Sequence, residues 1–161
     1  MKKLTVVLFV MLLVSVLAGC DDQKEQLAST TESLVGYMTI EDNALYLDKV
    51  EIIRREDTER VEELKLEHND MPSGYCIYNQ EVEKITYELT DETTYTFTDL
   101  TGVFVKNEDD EKVYTTTKVE DFVKYLNETY SDSPPAQNVP FFIEVKDGKV
   151  ISVTEKFEFT I

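Results

Sequence analysis

Apolar side chains are distributed along this chain in three regimes. Leu4 to Ala18 is a predominantly apolar run of 15 residues, interrupted only by Thr5 and Ser15, behind Lys2 and Lys3. Asp21 to Ser33, DDQKEQLASTTES, is polar and free of glycine. From Leu34 onward, apolar and polar residues interchange over short stretches broken by turn residues, the pattern of strands with an occasional helix. The first regime is short for a bilayer-spanning helix, which needs about 20 residues. Its basic start and the small residues Ala18 and Gly19 predict an export signal over residues 1–19. The second regime cannot bury enough apolar area to fold, so residues 20–33 are expected to be a disordered tether reaching on the order of 20 Å. Residues 34–161 remain for one domain with an ordinary core.

Within that span, LVGYMTI turns at EDN and resumes as ALYLDKVEII. Apolar residues in the second piece occupy both parities, which a strand curling around a barrel tolerates because its buried side changes along its length. Val61 and Leu64 lie at helical spacing among good helix formers and predict a short surface helix, with Asp57 or Thr58 as cap. Pro72 and Gly74 in MPSGYCIYN mark a turn feeding a strand. KITYEL and TYTFTD predict a hairpin whose three-residue loop, Asp91 to Thr93, sets Leu89 opposite Tyr95 and Tyr87 opposite Phe97; a two-residue loop would set them against threonines. GVFV predicts a further strand. In TKVEDFVKYLNETY, Thr117 and Glu120 have capping-box spacing, and Val119, Phe122, Val123, Leu126 and Tyr130 share one helical face. The chain closes with the clearest hairpin, VPFFIEV and KVISVTEKFEF around Asp147-Gly148. Strands, a late helix and a closing hairpin predict a mainly β fold with one or two helices, a small closed or partly open OB-like barrel plugged by that helix.

Charge narrows the partners. The formal charge is −17, from 33 acidic and 16 basic side chains; loss of residues 1–19 removes two lysines and no acid, moving it to −19. Such a chain is repelled by phosphate backbones and anionic headgroups, so nucleic-acid binding is not expected. Neutral or basic partners in the envelope, whether protein, peptide or glycan, are favoured instead.

Individual residues add little chemistry. Cys76, in GYCIYN, reads as a small buried hydrophobe in a strand, and the lone His68 as part of a charged surface turn. No metal or cofactor site is expected: the acidic run around Asp109 lacks the ordered alternation and distal glutamate of an EF-hand loop. Glu51, Asp57, Glu59, Glu62 and Glu63, or Glu108 to Glu111, offer carboxylates for the alternative reading of a small carboxylate-dependent hydrolase acting on an envelope substrate. With so many acids a suitable pair arises by chance, and an acidic solvated face is the simpler account. Nine tyrosines and eight phenylalanines suit either barrel walls or a recognition surface. Tyr78 is the best surface candidate, because the register argued above commits Tyr95 and Phe97 to the core.

LAGC, Leu17 to Cys20, resembles the lipobox of bacterial lipoproteins. The resemblance implies cleavage before Cys20 and a thioether-linked diacylglycerol on it, leaving Cys76 without an intramolecular disulfide partner. Two acyl chains, at about 0.8 kcal/mol per buried methylene, would hold the acidic body at the extracytoplasmic face of the cell membrane. An ordinary signal peptide with an unrelated cysteine, or an uncleaved anchor, are the alternatives. MPSGYCIYN, KVEDFVKYL and PFFIEVKDGKVISVTEKF resemble blocks of small lipoproteins of Gram-positive bacteria whose soluble domain is OB-like, over Gly36 to Phe157. That likeness implies no catalytic residue and no ligand. A non-enzymatic binding or envelope-accessory module is the expected role, since shared fold is weak warrant for function.

Overall fold

The computed structural model describes residues 30–107, 111–130 and 139–159. Cys20, the expected signal and residues 20–29 of the expected tether lie outside the described residues. Strand β1 (Thr31–Glu41) begins three residues before the expected boundary at Leu34, because Thr31, Glu32 and Ser33 already pair with the penultimate strand.

Asp42 and Asn43, with φ of 48° and 61°, form the two-residue reversal between β1 and β2 (Ala44–Lys49). Left-handed conformations at both positions match the twist of a hairpin, and Asn and Asp tolerate them. Val50 then takes the chain off the barrel into a satellite pair, β3 (Glu51–Arg54) and β4 (Tyr75–Tyr78), with helix α1 (Thr58–Leu64) and a 3₁₀ turn at His68–Asp70 between them. Asp57 occupies the N-cap position of α1, but its carboxylate makes no capping bond and instead accepts the Arg54 N–H at 2.9 Å.

β5 (Ile85–Glu88) and β6 (Thr94–Thr98) do not form the expected hairpin. β5 pairs antiparallel with β2, whereas β6 runs parallel to the last strand, so the two point the same way as halves of one bent strand. The corner is fixed by buried Thr93, whose N–H donates to Thr90 O at 3.0 Å and whose hydroxyl donates to Val150 O at 2.8 Å. Leu89, Tyr95 and Phe97 are nevertheless all buried on the core side. Gly102 to Val105 is likewise a loop rather than a strand: its Val103, Phe104 and Val105 N–H groups all donate to the buried Asp99 carboxylate.

β7 (Val113–Thr116) pairs with β6, and α2 (Val119–Thr129) follows. Thr117 and Glu120 make no capping box; Lys118 occupies the cap position, and its N–H donates to Thr116 Oγ1 at 3.1 Å. The chain ends with β8 (Phe141–Lys146), the left-handed Asp147-Gly148 turn, β9 (Lys149–Glu155) and a 3₁₀ turn at Phe157–Phe159. A bulge opposite Glu144/Val145 leaves Ile151 unpaired, which is why Val150 and Val153, of opposite parity, both face the core.

The strand order β5-β2-β1-β8-β9 returns to β5 through one parallel pairing, Glu88 with Lys149, where Glu88 N–H donates to Gly148 O at 3.1 Å. A five-strand ring with a parallel closure and a helix entering before the fourth ring strand is an OB-like, partly open barrel. Gly36 is the crossing point at which β1 leaves β8 and takes up β2, pairing with both Phe141 and Lys49. α2 plugs the barrel through Phe122, Tyr125 and Leu126; Phe122 stacks on Tyr95 at 4.8 Å and Tyr125 on Phe97 at 4.0 Å between ring centroids. Burying these rings together supplies both apolar area and favourable ring geometry.

Candidate functional site

Side chains alternate across a strand, so the residues of β1 and β2 that do not fill the barrel stand on its outer wall. Met38, Leu45 and Leu47 point inward and are buried. Tyr37 and Thr39 point outward, directly opposite Asp48 and Tyr46 respectively. After leaving β4, the chain crosses back over this wall through Asn79 to Lys84 and enters β5. Wall and crossing segment enclose an open groove of about 490 Å3, within the size range of small-ligand sites.

Asp48 pins the crossing segment at both ends. Its Oδ2 accepts Asn79 Nδ2 and its Oδ1 accepts the Glu83 N–H, each at 2.9 Å. Asn79 Oδ1 is left buried without a hydrogen-bond partner among the described residues. A buried acceptor in that state costs free energy that a donor would recover. Lys84 Nζ lies 4.1 Å from the Tyr46 ring centroid, and Val82 at the tip of the segment is 88% exposed. Burial, then the charge of Asp48 and the neighbouring Cys76 thiol, raise the Tyr37 pKa above its ordinary value, so Tyr37 keeps its proton and remains a donor.

Tyr78 is next to this groove rather than in it. It is half-buried on β4 with the Arg60 guanidinium 5.6 Å from its ring centroid, and lines a smaller hollow that shares Glu83 with the groove. Tyr95 and Phe97 are wholly inside the barrel. Cys76 is half-buried on β4 rather than fully buried, with its thiol pKa raised by burial and then by Asp70; His68 is exposed in its 3₁₀ turn. Of the sequence-derived acids, Glu51 and Glu63 are both bound by Arg60, at 2.8 and 2.6 Å, and Asp57 is taken by the Arg54 backbone. Glu108, Asp109 and Asp110 lie outside the described residues. Among the described residues, no group of three or more His, Cys, Asp or Glu side chains is placed to hold a metal ion.

Tyr37, Tyr46, Asp48 and Lys84 were not singled out by sequence reasoning. Their signal lies in the outward parity of β1 and β2, which becomes readable only once the hairpin register is known. No family model, curated protein or solved structure significantly matches this chain.

Proposed function

We propose that this protein is a lipoprotein held at the extracytoplasmic face of the cell membrane through acylated Cys20, and that its OB-like barrel is a non-enzymatic binding module. The lipobox-like LAGC behind a short apolar run supports the anchor. The observation that carries the binding role is the β1–β2 groove, which combines half-buried tyrosines and the exposed Val82 with a buried acceptor that has no donor among the described residues. The resemblance to small lipoproteins of Gram-positive bacteria agrees with this reading. The surrounding negative charge favours neutral or basic ligands of the envelope, peptide, protein or glycan, over nucleic acid.

Two measurements test the two halves. Cys20→Ser should abolish palmitate labelling and release the protein from the membrane fraction or leave it unprocessed; undiminished labelling would refute the anchor. For the module, neutral oligosaccharides, neutral peptides and basic peptides are titrated into the isotope-labelled full-length chain in zwitterionic detergent micelles. Amide shifts confined to Tyr37, Thr39, Tyr46 and Asn79 are expected with at least one class. Shifts elsewhere only, or none, would remove the groove from consideration.

A further inference from the structure

The groove already contains a cation. Lys84 Nζ sits over the Tyr46 ring, and among the described residues Lys84 forms no ion pair. Its position follows from the backbone: Asp48 fixes Asn79 and Glu83, and Lys84 is the next residue, delivered to the ring by that clasp. An aromatic face attracts an ammonium through its quadrupole. The rest of the lining continues the theme. Glu41, Asp48 and Glu83 outnumber the single Lys84, in a chain of formal charge −17, and Asn79 Oδ1 is an acceptor without a donor among the described residues.

Resting on the binding reading above, we propose that this groove receives the primary ammonium of an unbranched amine, the chemistry of a lysine side chain, and that Lys84 is an internal occupant which such a ligand displaces. A sugar ring would need the Tyr46 face open, and Lys84 covers it. An anionic ligand would meet three carboxylates. An ammonium on a flexible stem replaces Lys84 on the ring, while the freed Lys84 remains exposed to water. The internal lysine lowers apparent affinity because it competes from a short tether at high effective concentration.

The test uses the full-length chain in zwitterionic detergent micelles and three probes: N-acetyl-lysine methylamide, its uncharged norleucine counterpart, and chitotriose. The lysine probe should shift Tyr46 and the Asn79 side-chain amide, and the norleucine probe should not. Lys84→Gln should bind the lysine probe about threefold more tightly, the size of one exposed cation–aromatic contact. Tyr46→Leu in the Lys84→Gln background should remove that gain, with far-UV circular dichroism confirming that the barrel is intact. No gain in Lys84→Gln, or a gain that survives Tyr46→Leu, would overturn the ammonium site and reduce the effect to general attraction by an acidic surface. Groove shifts with chitotriose or the norleucine probe instead would also overturn it while leaving the binding module standing. Groove shifts with none of the three would overturn both.

Discussion

Tyr125 donates its hydroxyl to Glu155 Oε1 at 2.5 Å, joining the plug helix α2 to the end of β9 in the interior of the barrel. Tyr130, just past the helix, donates to the same oxygen, and the Thr98 N–H donates to Oε2 at 2.9 Å. Three donors converge on a side chain that is 7% exposed, so both of its oxygens serve as acceptors in the interior. Glu155→Gln replaces one acceptor oxygen by an amide nitrogen, so either the Thr98 N–H or the two tyrosine hydroxyls lose their acceptor. The variant should lose about 2 to 3 kcal/mol in urea melts, and Tyr130→Phe, which removes one bond, about 1 kcal/mol. Wild-type stability in Glu155→Gln would show that this clasp contributes nothing.

The same tyrosines set an alkaline limit. Burial first, and then Glu155, push the Tyr125 and Tyr130 pKa values upward; burial and Glu120 push Tyr95 up to about 12. In the unfolded chain these groups ionise near 10, so above that pH the unfolded state loses protons that the folded state retains. Their contribution is therefore complete below pH 10 and lost as pH rises, for Tyr95 across roughly 10 to 12. Tyrosinate absorbance should show exposed tyrosines titrating first and these three appearing only with unfolding. Simultaneous, reversible titration of all nine while folded would contradict their burial.

Asp99 sets an acid limit of opposite sign. Burial works to raise its pKa, but the N–H groups of Val105 and Phe104, the Thr101 hydroxyl and the Val103 N–H together outweigh it and hold the carboxyl below its ordinary value. The stabilisation is present above about pH 4 and is lost as pH falls through the lower folded value. Asp99→Asn places an amide nitrogen against backbone donors whichever way it turns, and should cost about 2 kcal/mol at neutral pH while flattening the acid limb of the stability profile. An unchanged acid limb would assign that limb to other groups.

Gly36 is required by proximity. A Cβ built there would stand 2.3 Å from the Asp48 carbonyl oxygen and 2.7 Å from Leu47 Cδ1. The first contact is with backbone and cannot rotate away. Gly36→Ala should destabilise the barrel by about 2 kcal/mol or more, and should disturb the Asp48 clasp, read as shifts at Asn79 and Glu83. A melt and spectrum matching wild type would mean that β1 and β2 can separate freely at the crossing.

Much of the local structure was written in the chain. Asp42-Asn43 and Asp147-Gly148 specify tight reversals through residues that accept left-handed backbone, and both hairpins formed there. The stripe containing Phe122 and Leu126 produced the plug helix, because a 3.6-residue period has only one apolar face to bury. These features rest on interactions within a few residues, so sequence alone determined them, along with the chain's acidity. Tertiary structure decided the rest. Tyr87 and Phe97 looked like hairpin neighbours, yet β9, more than fifty residues later in the chain, took β6 as a parallel partner and turned Thr93 into a corner. Gly102 to Val105 looked like a strand until Asp99 captured its N–H groups. The groove depends on the same kind of distant closure: Asp48 meets Asn79 and Glu83 only after β3, α1 and β4 have folded out and returned. Local propensity carries no term for such contacts, since their energy exists only once the loop between them has closed.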